Sequence, residues 1–210
     1  MSYKEQNANL PAALSALWFF IPETGQEPHR VLPDGAIDII FPEGGAPFVV
    51  GAMTAAALAQ ADRPCTGLRF RPGGAQTLLK MDWAEATDRH LNAADLGLKL
   101  PDAPTLIKHL QNRQPDPLIL HTADRLKRGE PIEQIAQAIG YSRRTLERRF
   151  KTATGLGLKT YSRIMRFRRT IKTDFSARSA LEAGYYDQAH LYREVKRFAA
   201  IIQDNPPQNL

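Results

Sequence analysis

The segment AIGYSRRTLERRF (residues 138–150) sets four arginines, Arg143, Arg144, Arg148 and Arg149, within seven positions. Leu146 and Phe150 stand among them one helical turn apart. At about 100° per residue, the face opposite those two apolar residues carries Arg144, Arg148 and Lys151, flanked by Thr145 and Glu147. Guanidinium groups on one side of an anchored helix suit a polyanion. A helix also fits the major groove of DNA, where arginine can donate two hydrogen bonds to guanine O6 and N7. Arg143 and Arg149 lie off that ridge and are better aimed at phosphate.

Such a ridge needs elements to hold it. Upstream, Ala136 is small enough for a close helix crossing, with Ile135 and Ile139 facing inward. Gly140 can take positive φ at a turn without steric cost, and Ser142 can cap the helix that follows. The pattern predicts a helix-turn-helix over Ile132–Phe150. A second copy reads ALEAGYYDQAHLYREVKRF (residues 180–198). Ala180 and Gly184 repeat the four-residue spacing, Asp187 supplies the cap, and Leu191 and Val195 supply the buried stripe. Ala189, Arg193 and Lys196 fall opposite, with Gln188 and Tyr192 beside them. Gln188 could read adenine. His190 reads as a packing or cap residue. Between the copies, Tyr161, Ile164, Phe167 and Ile171 form the apolar stripe of one connecting helix.

The charge agrees with this placement. The 210 residues carry a net +6, but residues 1–116 hold 10 Lys/Arg against 13 Asp/Glu, while residues 117–210 hold 18 against 9. A polyanion partner is therefore expected for the second half only. The single cysteine, Cys65, excludes an intramolecular disulfide. The longest early apolar run, PAALSALWFFIP, is short of the roughly 18–20 residues that span a bilayer and lacks a basic leader. A cytoplasmic protein with no membrane partner is expected.

The first half reads as strands and turns. RVLPDGAIDIIF alternates Ile37, Ile39 and Phe41 after a Pro-Asp-Gly turn, FVVGAM follows, and TGLRFRPGG alternates Leu68 and Phe70 with Arg69 and Arg71. From about residue 75 the pattern turns helical, through AQTLLKMDWAEATDRHL and then DAPTLIKHLQNR. QNRQPDP (residues 111–117) marks a boundary, after which Asp116 caps a helix that begins at Pro117 and ends near Gly129. The fold class expected is α+β: a small antiparallel β domain with helices over 1–112, then an all-α domain over 117–205 with two helix-turn-helix units and a linker helix.

IEQIAQAIGYSRRTLERRFKTATG, YSRIMRFRR and LEAGYYDQAHLYREVKRF together resemble the DNA-binding domain of AraC/XylS-type transcriptional regulators. The resemblance implies base contacts from Arg144, Glu147 and Arg148, and from Gln188, Ala189, Tyr192 and Arg193 in the second unit. Phosphate contacts would come from Ser142, Arg143, Thr145, Arg149, Lys151, Asp187, Lys196 and Arg197. The first half is similar to a small domain that precedes this module in some bacterial regulators and senses a ligand or mediates dimerisation. The implied partners are double-stranded DNA, a small-molecule effector, RNA polymerase and a second copy of the chain. The chain departs from the family in three ways. Gly140 and Gly184 are 44 residues apart, closer than is usual. Ser176 and Ser179 stand where large aliphatics are expected, and Leu158 replaces a proline. The second unit is therefore expected to be less stable than the first.

Other chemistry has weaker support. Cys65 could act as an alkyl acceptor in DNA repair, but Thr66 follows it where a histidine would assist the thiolate. His29, His90, His109, His121 and His190 form no HxH or HxxxH pair, so no metal is expected. No Walker loop or G-x-S-x-G turn implies a cofactor or a hydrolase. Asp38, Arg69 and Arg71 could line an anionic ligand pocket or simply form a rim salt bridge. The leading expectation is a non-enzymatic, sequence-specific transcription regulator. A repair protein using Cys65 and a protein-interaction module remain as alternatives.

Overall fold

The computed structural model describes residues 2–23, 25, 27–171, 181–182 and 184–200. The described residues form an antiparallel sheet, a small two-stranded ribbon and six α-helices. The strands are β1 (Ser2–Gln6), β2 (Leu14–Ile21), β3 (His29–Val31), β4 (Asp38–Pro42), β5 (Phe48–Val50), β6 (Ala57–Ala59), β7 (Cys65–Phe70) and β8 (His90–Asn92). Six of them pair in the order β1-β2-β7-β4-β5-β8, while β3 and β6 pair with each other.

Period-two alternation gives the sheet two unlike faces. The register sets Leu17, Leu68, Ile39, Val49 and Leu91 side by side across five strands. This face packs against the helices, and Leu68, Ile39 and Val49 are fully buried in the core. The opposite face carries Trp18, Gly67, Ile40 and Phe48 in one row and Arg69, Asp38, Val50 and His90 in the next. Gly67 is required there: an added Cβ would come within 1.9 Å of the Trp18 indole, which lies across the strand.

The helical expectation for residues 75–91 fails. The chain makes two 3-10 turns, Ala75–Thr77 and Trp83–Ala86, and then enters edge strand β8. Side-chain bonds fix where the second turn starts and how the chain leaves it. Asp82 caps the second turn by accepting the Ala84 N–H. Asp88 takes φ of 57° and accepts bonds from the Thr54 N–H and hydroxyl, both at 2.6 Å. Trp83, fully buried, fastens the segment under the sheet.

The helices are α1 (Ala103–Leu110), α2 (Pro117–Lys127), α3 (Ile132–Ile139), α4 (Arg143–Thr154), α5 (Leu158–Thr170) and α6 (Gln188–Ala199). Asp102, Asp116, Ser142 and Asp187 cap α1, α2, α4 and α6 by accepting backbone N–H bonds. Gly140 ends α3 and Gly155 ends α4, both left-handed. Ser176, Ser179 and Ala180 fall outside the described residues, as does the expectation built on the two serines.

One apolar core runs from the sheet into the helices. Phe150 of α4 meets Tyr161 of α5 edge-on at 5.2 Å. Polar bonds cross the same junction: Gln76 donates to the Thr152 carbonyl at 3.1 Å, and the Thr87 hydroxyl donates to the Gly155 carbonyl at 2.7 Å. Phe150→Ala should therefore lower stability by about 3–5 kcal/mol. Fluorescence of Trp18 and Trp83, both in the sheet half, reads whether the loss reaches the sheet. A single shifted transition is expected. An unmoved tryptophan transition would show that the sheet melts independently of the helices.

Candidate nucleic-acid interface

Helices α3 and α4 are joined by a tight turn whose geometry follows from three residues. Gly140 reverses the chain at φ of 74°. Ser142 Oγ accepts the Thr145 N–H at 3.2 Å and lies 2.9 Å from the Thr145 hydroxyl. Leu146 and Phe150, both fully buried, then set the rotation of α4. Their burial turns Arg144, Arg148 and Lys151 outward as one exposed ridge. Among the described residues these three side chains have no hydrogen-bond or ion-pair partner.

The neighbouring arginines are engaged within the protein. Arg143 bonds to Glu133 of α3. Arg149 donates to Asp116 Oδ2 at 2.7 Å and to the Tyr141 hydroxyl at 3.1 Å, with its guanidinium 5.5 Å from the Tyr141 ring centre. Because Asp116 Oδ1 also accepts the Leu118 N–H, one carboxylate caps α2 and ties α4 to it. Glu147 is half-buried and turned toward α5, where a Cβ on Gly157 would come within 2.5 Å of its carboxylate. A negative group at that helix N-terminus is electrostatically favourable.

On α6, Gln188, Ala189, Tyr192, Arg193, Lys196 and Arg197 are exposed. Asp187 caps the helix by accepting the His190 N–H. His190 accepts the Tyr186 N–H at 3.4 Å and meets the Tyr185 ring edge-on, so it packs and caps. The buried stripe is Leu191, Glu194 and Phe198, with Val195 half-buried beside it. Glu194 is 2% exposed and receives bonds from Arg163 and Arg166 of α5. Sequence reading missed this carboxylate. Its position three after Leu191 and four before Phe198, facing two arginines at i and i+3 on α5, is the pattern that marks it. Buried charge needs such pairing.

The three residues weighed as a ligand site divide. Asp38 and Arg69 lie together, the Arg69 guanidinium donating at 3.4 Å while the Trp18 indole donates at 3.3 Å. Arg71 is elsewhere, donating to the Leu14 carbonyl at 2.9 Å. Burial pushes the Asp38 carboxyl up to about 6, against the opposing pull of Arg69. Cys65 is buried, and burial pushes its thiol above the usual range, away from a reactive thiolate. Among the described residues no group of three or more His, Cys, Asp or Glu could hold a metal ion. No helix among them is long and apolar enough to cross a membrane.

A family model described as a domain of unknown function, DUF6597, matches residues 7–92. The chain is similar to several solved structures. One is the xylose-binding transcription activator xylR, at 17% identity and a TM-score of 0.33, over 57% of this chain and 30% of that one. Another is ToxT from Vibrio cholerae, at 6% identity and a TM-score of 0.41, over 95% of each chain. No curated protein matches the sequence.

The raised Asp38 pKa carries a testable sign. Between about pH 6 and the usual carboxylate range near 4, native Asp38 is protonated while the unfolded residue is ionised. The native state then binds the extra proton, so this group's effect on stability becomes more favourable as pH falls. Asp38→Asn lacks that titration. Denaturant melts from pH 7 to pH 4 should show wild type gaining on Asp38→Asn as pH falls. A pH-independent difference would place the Asp38 pKa at its ordinary value.

Proposed function

We propose that this chain is a sequence-specific, DNA-binding transcriptional regulator of the AraC/XylS type. Helices α3 and α4 form one helix-turn-helix with α4 as recognition helix. Helix α6 is the recognition helix of a second unit, and α5 joins them. The observation that carries this reading is the unpaired ridge of Arg144, Arg148 and Lys151 on a helix whose opposite side is locked in the core. The alternative is a solvated basic face on a structural helix pair, and the support for DNA over it is the ridge together with the cap, turn and buried stripe that present it.

On this reading Arg144 and Arg148 contact base edges, with Glu147 at the margin of the ridge. In the second unit Gln188, Ala189, Tyr192 and Arg193 face the bases. Ser142, Arg143, Thr145, Arg149, Lys151, Asp187, Lys196 and Arg197 face the sugar-phosphate backbone. Arg143 and Arg149 keep N–H groups on their exposed sides for phosphate while holding α4 in place. Residues 1–112 serve as the effector-sensing or dimerising domain and residues 117–205 as the DNA-binding domain. The protein acts in the cytoplasm, where RNA polymerase and a second copy of the chain are its further partners. The inert environment of Cys65 argues against the repair alternative.

Selection from a random double-stranded DNA pool should enrich one motif with two contacted segments. Arg144→Ala should then cost about 1–3 kcal/mol on that motif and relax preference at one base position. The logarithm of the binding constant should fall with log salt by about 0.9 per phosphate neutralised. Equal weakening on every sequence would move Arg144 to the phosphate class. No enrichment, with salt-sensitive binding to acidic proteins instead, would make the basic half a protein-interaction module.

A further inference from the structure

The sheet face turned away from the helices encloses a cavity of about 410 Å³. That is at the small end of ligand sites, which run roughly 300–1,000 Å³. The floor is sheet: Trp18, Phe20, Ile40, Phe48 and Val50. The roof is the β3–β6 ribbon, and Arg168 of α5 closes one side.

The polar lining is uneven in what it has left to offer. The acidic groups are engaged, since Asp34 and Asp38 both flank Arg69, at 3.4 and 3.3 Å. The remaining polar groups are mostly donors. Arg168, half-buried, and Arg30, exposed, have no hydrogen-bond or ion-pair partner among the described residues. His29 stacks on Phe20 at 5.2 Å and His90 meets Phe48 at 5.9 Å. Burial lowers both imidazole pKa values and so favours the neutral rings, each with one N–H to donate and one nitrogen to accept. An apolar, aromatic-walled space bordered by two unpaired guanidinium groups calls for an anion with a flat apolar body.

We infer that this cavity binds a small aromatic carboxylate, its ring on the Trp18–Phe20–Phe48 floor and its carboxylate turned to Arg168. The consequence reaches the helices. Phe167, next to Arg168, packs on Phe198 of α6 at 5.2 Å. The Ala56 N–H, at the start of the roof strand, donates to the Ala200 carbonyl at the end of α6 at 3.1 Å. The turn carrying Asp34 sits on α5 so closely that a Cβ on Gly35 would come within 2.8 Å of Tyr161. A ligand held between roof, floor and Arg168 therefore biases where α5 and α6 lie relative to the sheet. This second consequence, unlike the binding itself, rests on the DNA-regulator reading.

The test uses the full chain and calorimetric titration with benzoate, phenylacetate and cinnamate. The matching carboxamides and arylalkylamines serve as controls. At least one carboxylate should bind with submillimolar affinity, and its amide at least tenfold more weakly. Arg168→Met, which keeps the stem, should weaken the carboxylate at least tenfold and leave the amide unchanged. Ala57→Phe, which fills the space under the roof, should abolish both. Failure of all three carboxylates overturns the inference. So does tighter binding of an amine, or an Arg168→Met variant that binds as wild type does. Carboxylate binding without any enriched DNA motif would leave the ligand site standing and sink the regulator reading. An enriched motif whose affinity ignores a bound carboxylate would sink the coupling alone.

Discussion

The burial of Leu146 and Phe150 decides which way α4 faces, and most of what the carboxyl-terminal half can do follows from that choice. Two large apolar side chains one turn apart fix the rotation of a helix about its axis more firmly than any surface charge, because rotating them into water would forfeit several kcal/mol. With that side locked, the positions half a turn away have nowhere to go but out. The ends are held as strictly. Gly140 permits the reversal before α4, Ser142 caps it and Gly155 lets it stop. Arg149 and Arg143 then brace it sideways against α2 and α3. The ridge is rigid because everything except the ridge is anchored.

The amino-terminal half works by the same division of faces, with a period of two in place of 3.6. Ile39, Val49 and Leu68 face the helices, which leaves the alternate residues to wall a cavity. Within that alternate set, Gly67 gives up its side chain so that Trp18 can lie flat across β7 and reach Asp38. The chain thus joins an apolar contact surface and the floor of an aromatic-walled cavity in one sheet, back to back. Arg168 extends the cavity wall onto α5, so the two halves share a boundary as well as a core.

Much of this was legible in the residues. The caps at Asp116, Ser142 and Asp187, the reversal at Gly140, the stripe of α5 and the alternation in β4 and β7 are local patterns, and local physics enforces them. What the sequence concealed depends on distant partners. Residues 75–91 have helical spacing, yet Trp83 and Asp88 each answer to contacts elsewhere in the chain and break the run. The β3–β6 ribbon consists of two three-residue strands with no alternation long enough to read. Glu194 stood in plain view on the buried stripe of α6, but a carboxylate is not expected in a core until its two arginines are brought beside it. For the same reason Arg69 and Arg71, equivalent by alternation, end up in different places once β7 stops at Phe70.

The arginines show most clearly why composition alone could not assign function. Eight of them, counting Arg143 to Arg169 along α4 and α5, lie within 27 residues. Several hold the fold: Arg163 and Arg166 neutralise Glu194, Arg149 joins α4 to the cap of α2, and Arg169 donates to the Lys127 carbonyl at the end of that helix. Each of these bonds commits a guanidinium within the chain, and the ion pairs also neutralise its charge. Among the described residues of α4 and α5, the arginines that remain unpaired are Arg144 and Arg148 on the outer ridge and Arg168 at the cavity. These two places are where the described residues leave positive charge for a partner to meet. A net charge of +6 says that a polyanion is welcome. Only the pattern of what is already paired says where it would sit.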